Sequence, residues 1–390
     1  MTSLIERESR VLMQTYGRAP ITFVAGEGSW LVDDAGERYL DFLSGLAVTS
    51  LGHSNPAVAA AVADQMSRLL HVSNLYYTEP MVELAEALVE RSGLDRMFFC
   101  NDGATANEAA IKLARRYGQT HGGPERYRIV SLLDSFHGRT LATLAATGQP
   151  AKQATFAPLP PGFEQVPAGD LAALEERLDD TVAAVMLETT QGEGGVRPLE
   201  AEYLQAIRAL CDRTGALLIV DDVQAGVGRT GTWFSWQSLG FEPDIATTAK
   251  ALANGLPIGV CMARDEVAAA FQPGDHATTF GGGPVVCAAA MAVIDEIESR
   301  DILRNCRERS EQLMAALSDL PGVAAVRGRG LLVAAQLARP EAREIAQRAL
   351  ADEKLIVNAV RDDAIRLAPP LTVDAAEVTE AVARLGRVLS

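Results

Sequence analysis

The chain has 390 residues, 48% of them hydrophobic and 22% charged, with a formal net charge of -16. That balance is ordinary for a globular protein and excludes a disordered chain, and the length favours two domains or one large domain with a smaller companion. An acidic field of this size argues against sequence-independent nucleic-acid binding and against attraction to anionic membranes, both of which need positive charge.

In chain order, residues 28–43 read as a hairpin in which GSWLV and RYLDFL flank a DDAG turn, with the aromatic and β-branched content that pleated surfaces favour. Asn55 and Pro56 then open an alanine-rich helix through Met66. From Phe98 onward, apolar runs at MFFC, YRIVSLL, AAVML, ALLIV and PIGVCMA alternate with the 3.6-residue periodicity of NEAAIKLARRYG and AEYLQAIRALCDRTG. This alternation predicts βα units around a mostly parallel sheet. After Pro284 a long helical stretch runs to about Leu320, followed by strand candidates LLVAAQL, LIVNAV and AIRLAP and a last helix from Asp374. The predicted division is an N-terminal segment over 1–66 that contributes to a small domain, a large domain over 67–285, and a C-terminal small α+β domain over 286–390.

Within the apolar stretch IATTAKALANGLPIGVCMA, from Ile245 to Ala263, the one formally charged side chain is Lys250. A buried ammonium is unfavourable unless it is paired or loses its proton, and a neutral buried amine is a nucleophile of the kind that condenses with carbonyl groups. The competing reading is a lysine snorkelling from a loop at a strand end. Ligands of parallel sheets bind beyond the carboxyl ends of the strands, so the residues that follow each apolar run matter. These are Asp221 after ALLIV, Glu188 after AAVML, Asn101 to Thr105 after MFFC, and Phe136, His137, Gly138 and Arg139 after YRIVSLL. Asp221, at the end of a buried strand, calls for a cationic partner such as a protonated pyridine nitrogen, or else serves as a turn or cap residue beside Asp222. NDGATANEAA puts small residues before a helix whose N-terminus can hold a phosphate, with the Thr105 hydroxyl added; Asp102 is equally an N-cap and is expected to point away from a dianion. Phe136 can stack on a ring and Arg139 can clamp a carboxylate, although a core phenylalanine and a surface arginine account for the same residues. Glu193 in GEGG and Arg366 in AIRLAPPL stand under the same two readings.

GVGRTG at 226–231 matches GxGxxG, but its glycines begin several residues after the strand and TWFSWQSLGF is a poor opening for a dinucleotide-binding helix. Hydride transfer is therefore a weak rival. No phosphate-loop motif occurs, and His53, His71, His121, His137 and His276 lack metal-ligand spacing, so no metal is expected. Cys100, Cys211, Cys261, Cys287 and Cys306 have no CxxC spacing and fit a reducing compartment. Glu6, Arg7, Glu8 and Arg10 precede no apolar region of the signal-peptide kind, and the longest uncharged run, Phe42 to Ala63, is broken by His53, Asn55 and Pro56. A cytoplasmic location follows as the expectation.

Taken together, LSGLAVTSLGHSNPAV, HVSNLYYTEP, FHGRTLATLAATGQP, ETTQGEGGV, DDVQAGVGRTG, AKALANGLPIG, TTFGGGP, VRGRGLL and VNAVRDDAIRLAPPLTV resemble, in order and over nearly the whole chain, the class III (subgroup II) aminotransferases of pyridoxal phosphate fold type I. The likeness is strongest to the acetylornithine/ornithine branch. The resemblance implies an α/β fold in which a large domain with a mostly parallel sheet is joined by a smaller α+β domain built from both termini. It further implies pyridoxal 5'-phosphate bound covalently at Lys250, with Asp221 paired to the ring nitrogen, Gln224 to the ring oxygen, Phe136 stacked on the ring, and Gly103, Ala104 and Thr105 on the phosphate. Thr279 is implied to reach the phosphate of a neighbouring subunit in a homodimer, whose active sites then lie at the subunit interface. Arg139 and Arg366 are implied carboxylate binders, and Glu193 a switch that masks Arg366 while the amine donor is bound and releases it for 2-oxoglutarate. The implied reaction moves the terminal amine of N-acetylornithine or a related acylated diamino acid to 2-oxoglutarate, in arginine or lysine biosynthesis. Rivals are another ω-aminotransferase (ornithine, succinyl-diaminopimelate, diaminononanoate-like or alkyl amine donors), an aminomutase or epimerase, and a non-catalytic relative. The chain departs from the usual family pattern at Asp102, Thr105, Thr189, Asp222, Ala225 and Gly283.

Overall fold

A seven-stranded sheet organises the computed structural model, which describes residues 4–390. Across it the strands lie in the order Arg96–Cys100, Gly259–Ala263, Ile245–Thr248, Leu217–Asp221, Val182–Leu187, Arg128–Leu132 and Phe163–Val166. All run the same way except Gly259–Ala263, which is antiparallel to both neighbours. The strands Val182–Leu187 and Leu217–Asp221 are buried at every position, as a sheet covered on both faces requires. Alternate residues serve opposite faces: Leu218 and Val220 join one apolar cluster, while Leu217 and Ile219 join another against Ala106, Ala109 and Ala110 of the helix Gly103–Gly122.

Two of these strands lack a sequence signal. Phe163–Val166 is an edge strand with Glu164 and Gln165 only half-buried, so its apolar pattern is weak. Ile245–Thr248 is short and lies within the segment read as the lysine stretch. Its neighbour, expected as one more parallel strand, returns antiparallel because the connection over 249–258 holds only the single helical turn Lys250–Ala253, too little for a crossover.

A second sheet, in the order Val323–Arg329, Leu332–Leu337, Ala364–Leu367 and Asn358–Arg361, carries Arg366. A third extends the expected hairpin: Phe23–Glu27 precedes Trp30–Asp33 and Arg38–Asp41, and Leu355–Ile356 pairs in parallel with Arg38–Asp41. The single strand expected at LIVNAV is thus divided at Val357 between two sheets. The helix predicted from Asn55 spans Pro56–Arg68, with the Asn55 side chain accepting from the N–H groups of Ala57 and Val58. The long helical stretch after Pro284 is two helices, Pro284–Ser299 and Ile302–Ser318, interrupted where Asp301 takes φ +50.

GVGRTG proves to be a clamp between sheets. The fully buried Arg229 guanidinium donates to Leu331 O at 3.0 Å, Pro369 O at 2.5 Å and Ser50 Oγ at 3.1 Å. Among the described residues, no helix is long and apolar enough to cross a membrane.

Candidate active site

A cavity of about 410 Å³ opens at the carboxyl ends of the parallel strands. Strand register explains who meets there. Asp221 stands opposite Thr247 in the neighbouring parallel strand, and Lys250 follows three residues later in the connection to the antiparallel strand. Cys100 pairs with Gly259, which brings Asn101, Asp102, Gly103 and Ala104 to the same rim. Gly259 is required there, because a Cβ would overlap the carbonyl oxygen of Asp102.

Lys250 has φ +36, a left-handed conformation that L-residues adopt under strain and that clusters at functional sites. Burial, and then the Arg366 charge, hold its pKa below the usual lysine value; Glu193, Asp221 and Glu188 oppose that shift. The amine is thereby moved toward its neutral, nucleophilic form.

Asp221 is buried, and its Oδ2 accepts from Asn107 Nδ2 at 2.7 Å and His137 Nδ1 at 2.8 Å, while Oδ1 accepts from the Val223 N–H at 3.1 Å. With the carboxylate accepting, the imidazole carries its proton on Nδ1. Asn107 is oriented in turn by Thr247, whose hydroxyl donates to Asn107 Oδ1 at 2.7 Å. Sequence reasoning took Asn107 only as part of a helix. Its offset four positions into the helix after the small-residue loop, on the buried face, was the available signal.

At the start of Gly103–Gly122, the Asp102 carboxylate accepts from the Thr105 N–H at 2.8 Å and the Thr105 hydroxyl accepts from the Asp102 N–H at 3.0 Å. Ala106 N donates to Asp102 O, which leaves the N–H groups of Gly103 and Ala104 as the open donors of this helix end. The Thr105 hydroxyl, expected among phosphate contacts, is committed to this capping box and does not line the cavity. Asp102 caps the helix, as its place before the helix predicts.

Phe136, Arg139, Glu193 and Gln224 line the cavity as well. Glu188 joins two walls, because Oε1 accepts from the Phe136 N–H at 2.9 Å and Oε2 from the Gly192 N–H at 3.1 Å. Burial and then the nearby Asp221 charge push its pKa up, against the pull of His137. Arg366 is 1% exposed and donates to Glu193 Oε1 at 2.6 Å, Asn358 Oδ1 at 3.1 Å and Gln224 Oε1 at 3.3 Å. Although burial raises the Glu193 pKa, the ion pair with Arg366 and the charges of Lys250 and Lys152 bring it below the usual value. Gly192 approaches the Gln224 side chain so closely that no Cβ fits. Of the expected site residues, Thr105, Arg366 and Thr279 do not line the cavity: Thr105 is in the cap, Arg366 stands behind Glu193, and Thr279 is exposed beside Phe280.

Two of the unusual positions are linked. The Thr189 hydroxyl donates to Ser235 Oγ at 2.6 Å, and the Ser235 N–H donates to Asp222 Oδ2 at 3.0 Å. Asp222 is fully buried, its Oδ1 has no partner among the described residues, and burial pushes its pKa up to about 7. In the unfolded chain the value is 3.8, so the folded state holds this proton more tightly, and the stability it contributes is complete below 3.8 and lost as pH rises through about 7. At about 1.4 kcal/mol per pKa unit, wild type should lose roughly 4 kcal/mol more than Asp222→Asn between pH 4 and 8. Denaturant titrations across that range check this; parallel curves for the two proteins would contradict it.

Among the described residues no group of His, Cys, Asp or Glu is arranged to hold a metal. The family model for aminotransferase class-III matches residues 12–389. Over 384 residues the chain is 49% identical to an acetylornithine aminotransferase of Gloeobacter violaceus, covering 97% of this chain and 96% of that one. An ornithine aminotransferase from Toxoplasma gondii, solved with PLP partially occupying its active site, superposes with a TM-score of 0.94 at 30% identity, covering 99% of this chain and 93% of that one. An (S)-enantioselective omega-transaminase from Thermomicrobium roseum superposes with a TM-score of 0.92 at 33% identity, covering 99% and 97% of the two chains.

Proposed function

The chain belongs to the class-III aminotransferases, and we propose that within this family it moves the terminal amino group of N-acetylornithine, or of a related acylated diamino acid, to 2-oxoglutarate, giving the semialdehyde and glutamate. One observation supports the reading: a single pocket is lined by an amine moved toward neutrality, a buried carboxylate, and an acid ion-paired with the buried Arg366 behind it. Similarity to the Gloeobacter acetylornithine aminotransferase supports the choice of donor.

The residues fit pyridoxal 5'-phosphate. Asp221 has hydrogen-bond donors but, among the described residues, no arginine or lysine ion-paired with it, so a protonated ring nitrogen would complete it. Gly103 and Ala104 would hold the phosphate, Phe136 would flank the ring, Gln224 would meet the ring oxygen, and Lys250 would carry the covalent link. When bound, the group supplies an electron sink for charge developing at the carbon beside the amine.

The chain's own residues do the rest. Lys250 accepts a proton on Nζ and returns it two atoms along, across the reacting nitrogen, a role that its lowered pKa favours. Val48, Leu256, Pro257 and Ile258 line the same cavity and limit water at that step. Arg139, exposed at the rim, orients the donor's carboxylate. Arg366 must be hidden from a donor with one carboxylate and presented to a diacid, and Glu193 does the hiding. Thr279 would serve the phosphate of a second copy. The exposed apolar residues beside it, Tyr77 at 96%, Leu75 at 83% and Phe280 at 67%, are a surface that a homodimer would cover, and light scattering of the pure protein tests that assembly.

The deciding experiment is a donor screen with 2-oxoglutarate, read as glutamate formed. N-acetylornithine should lead, and a faster simple alkyl amine would transfer the chain to the ω-transaminase reading. In the same screen Arg139→Ala should lower kcat/KM for carboxylate-bearing donors about 100-fold and for alkyl amines by less than about threefold. Equal losses on both would remove Arg139 from the donor's pocket.

A further inference from the structure

Lys152 is a cation set against Phe136 of the pocket wall, and the reading above gives it no part. It lies on the short helix Pro150–Ala154 and is half-buried, with Nζ 5.2 Å from the centroid of the Phe136 ring. The Arg139 guanidinium carbon sits 5.6 Å from the same centroid, so two cations flank the ring of Phe136, which lines the cavity. Among the described residues no carboxylate is ion-paired with Lys152; its one hydrogen bond goes to the neutral Gln149 side-chain oxygen. Such a bond is readily exchanged. The charges that bear on it are Arg139 and Arg361, which oppose its proton, and Glu193, which favours it. Arg361 is occupied by Asp134. Glu193 lines the same cavity as the Phe136 ring that Lys152 overlies, and it is the acid whose charge bears on Lys152; Lys152 in turn is one of three cations acting on Glu193, with Arg366 and Lys250.

If Glu193 masks Arg366, a diacid must displace it. Arg366 cannot move aside, being buried and held by Asn358 and Gln224. Glu193 has to leave, and a partly buried carboxylate that gives up its ion pair is favoured to settle where another cation meets it. Arg366 is then taken by one carboxylate of the diacid and Arg139, the carboxylate binder at the rim, by the other, while Lys250 faces the reacting atoms. Lys152 remains, on a flexible four-carbon stem and loosely tethered.

We propose that Lys152 receives the Glu193 carboxylate whenever a diacid takes Arg366, so that Glu193 moves between two fixed cationic stations. Arg366 is the station of the donor half-reaction and Lys152 that of the acceptor half-reaction. This rests on the reading of Glu193 as a movable mask.

Calorimetric binding of glutarate, a diacid without a reacting carbonyl, to the cofactor-loaded enzyme separates the two ideas. Lys152→Met keeps the stem over Phe136 and removes the charge; Lys152→Gln is the second variant should the first fold poorly. Lys152→Met should weaken glutarate about tenfold, Lys152→Arg should retain most of the affinity, and Glu193→Gln should tighten glutarate about tenfold because a neutral side chain no longer competes for Arg366. In the Glu193→Gln background, Lys152→Met should change the affinity by less than about twofold, since nothing charged needs the second station. If Glu193→Gln alone leaves glutarate unaffected, the mask reading fails and this proposal with it. If Glu193→Gln tightens glutarate while Lys152→Met has no effect, or the same effect in both backgrounds, the mask survives and the second station is overturned; the equal effect would mean that Lys152 touches the diacid directly.

Discussion

Alanine in place of Lys250 is expected to leave the protein folded and to lower transamination by at least about 10,000-fold, since one side chain serves as both nucleophile and proton carrier. Folding should survive because the site works against stability. The wild-type residue holds an amine whose charged form burial disfavours, on a backbone at φ +36 that alanine tolerates no worse than lysine. Removing that amine also removes the need to hold it beside Arg366. The melting temperature should therefore stay level or rise, the pattern expected where activity and stability trade against each other. Borohydride reduction of the loaded wild-type enzyme, followed by digestion, should tag the peptide containing Lys250. A tag elsewhere, or substantial turnover by the alanine variant, would refute the assignment.

Much of this site is written in local sequence. A solitary charge in an apolar run marks Lys250, and polar residues directly after buried strands mark Asp221, Glu188 and the Asn101 loop. The sheet then brings them together because parallel strands share one carboxyl edge. What sequence does not carry is the pairing across it. Asn107, His137 and Thr247 come from a helix, a loop and a strand far apart in the chain, and only their meeting around Asp221 gives them a role. Lys152 carries no signal in its short segment until the fold sets it against Phe136. Thr105 shows the converse case. A hydroxyl beside a phosphate-type helix end invites a ligand role, yet the helix needs that hydroxyl for its own cap. Direction is lost in the same way: PIGVCMA has the composition of a parallel core strand, and only the short connection that carries Lys250 makes it run backwards.

Asparagine in place of Asp221 should lower kcat/KM by about 1,000-fold or more while the chain still folds. The shape is kept and the charge is lost, and with it the means to hold a ring nitrogen protonated. Folding should tolerate the change, since a neutral amide is less unfavourable to bury than a carboxylate. The surroundings sharpen the prediction. Asn107 Nδ2 and His137 Nδ1 both donate to Oδ2, so an amide nitrogen there would face two donors. The imidazole can relieve one clash by moving its proton to Nε2, which has no partner in its buried site. Thr247 keeps Asn107 from turning over, because its hydroxyl fixes the Asn107 oxygen. The variant should therefore hold its ring partner more weakly as well as react more slowly, and absorbance released on gel filtration of the loaded protein reads the first effect apart from the second. Removing one donor, as in Asn107→Ala, should cost only about tenfold in rate, because the carboxylate keeps its charge and two of its three contacts. If Asp221→Asn stayed within about tenfold of wild type, a hydrogen bond alone would account for this position and the charge could not be what the reaction needs.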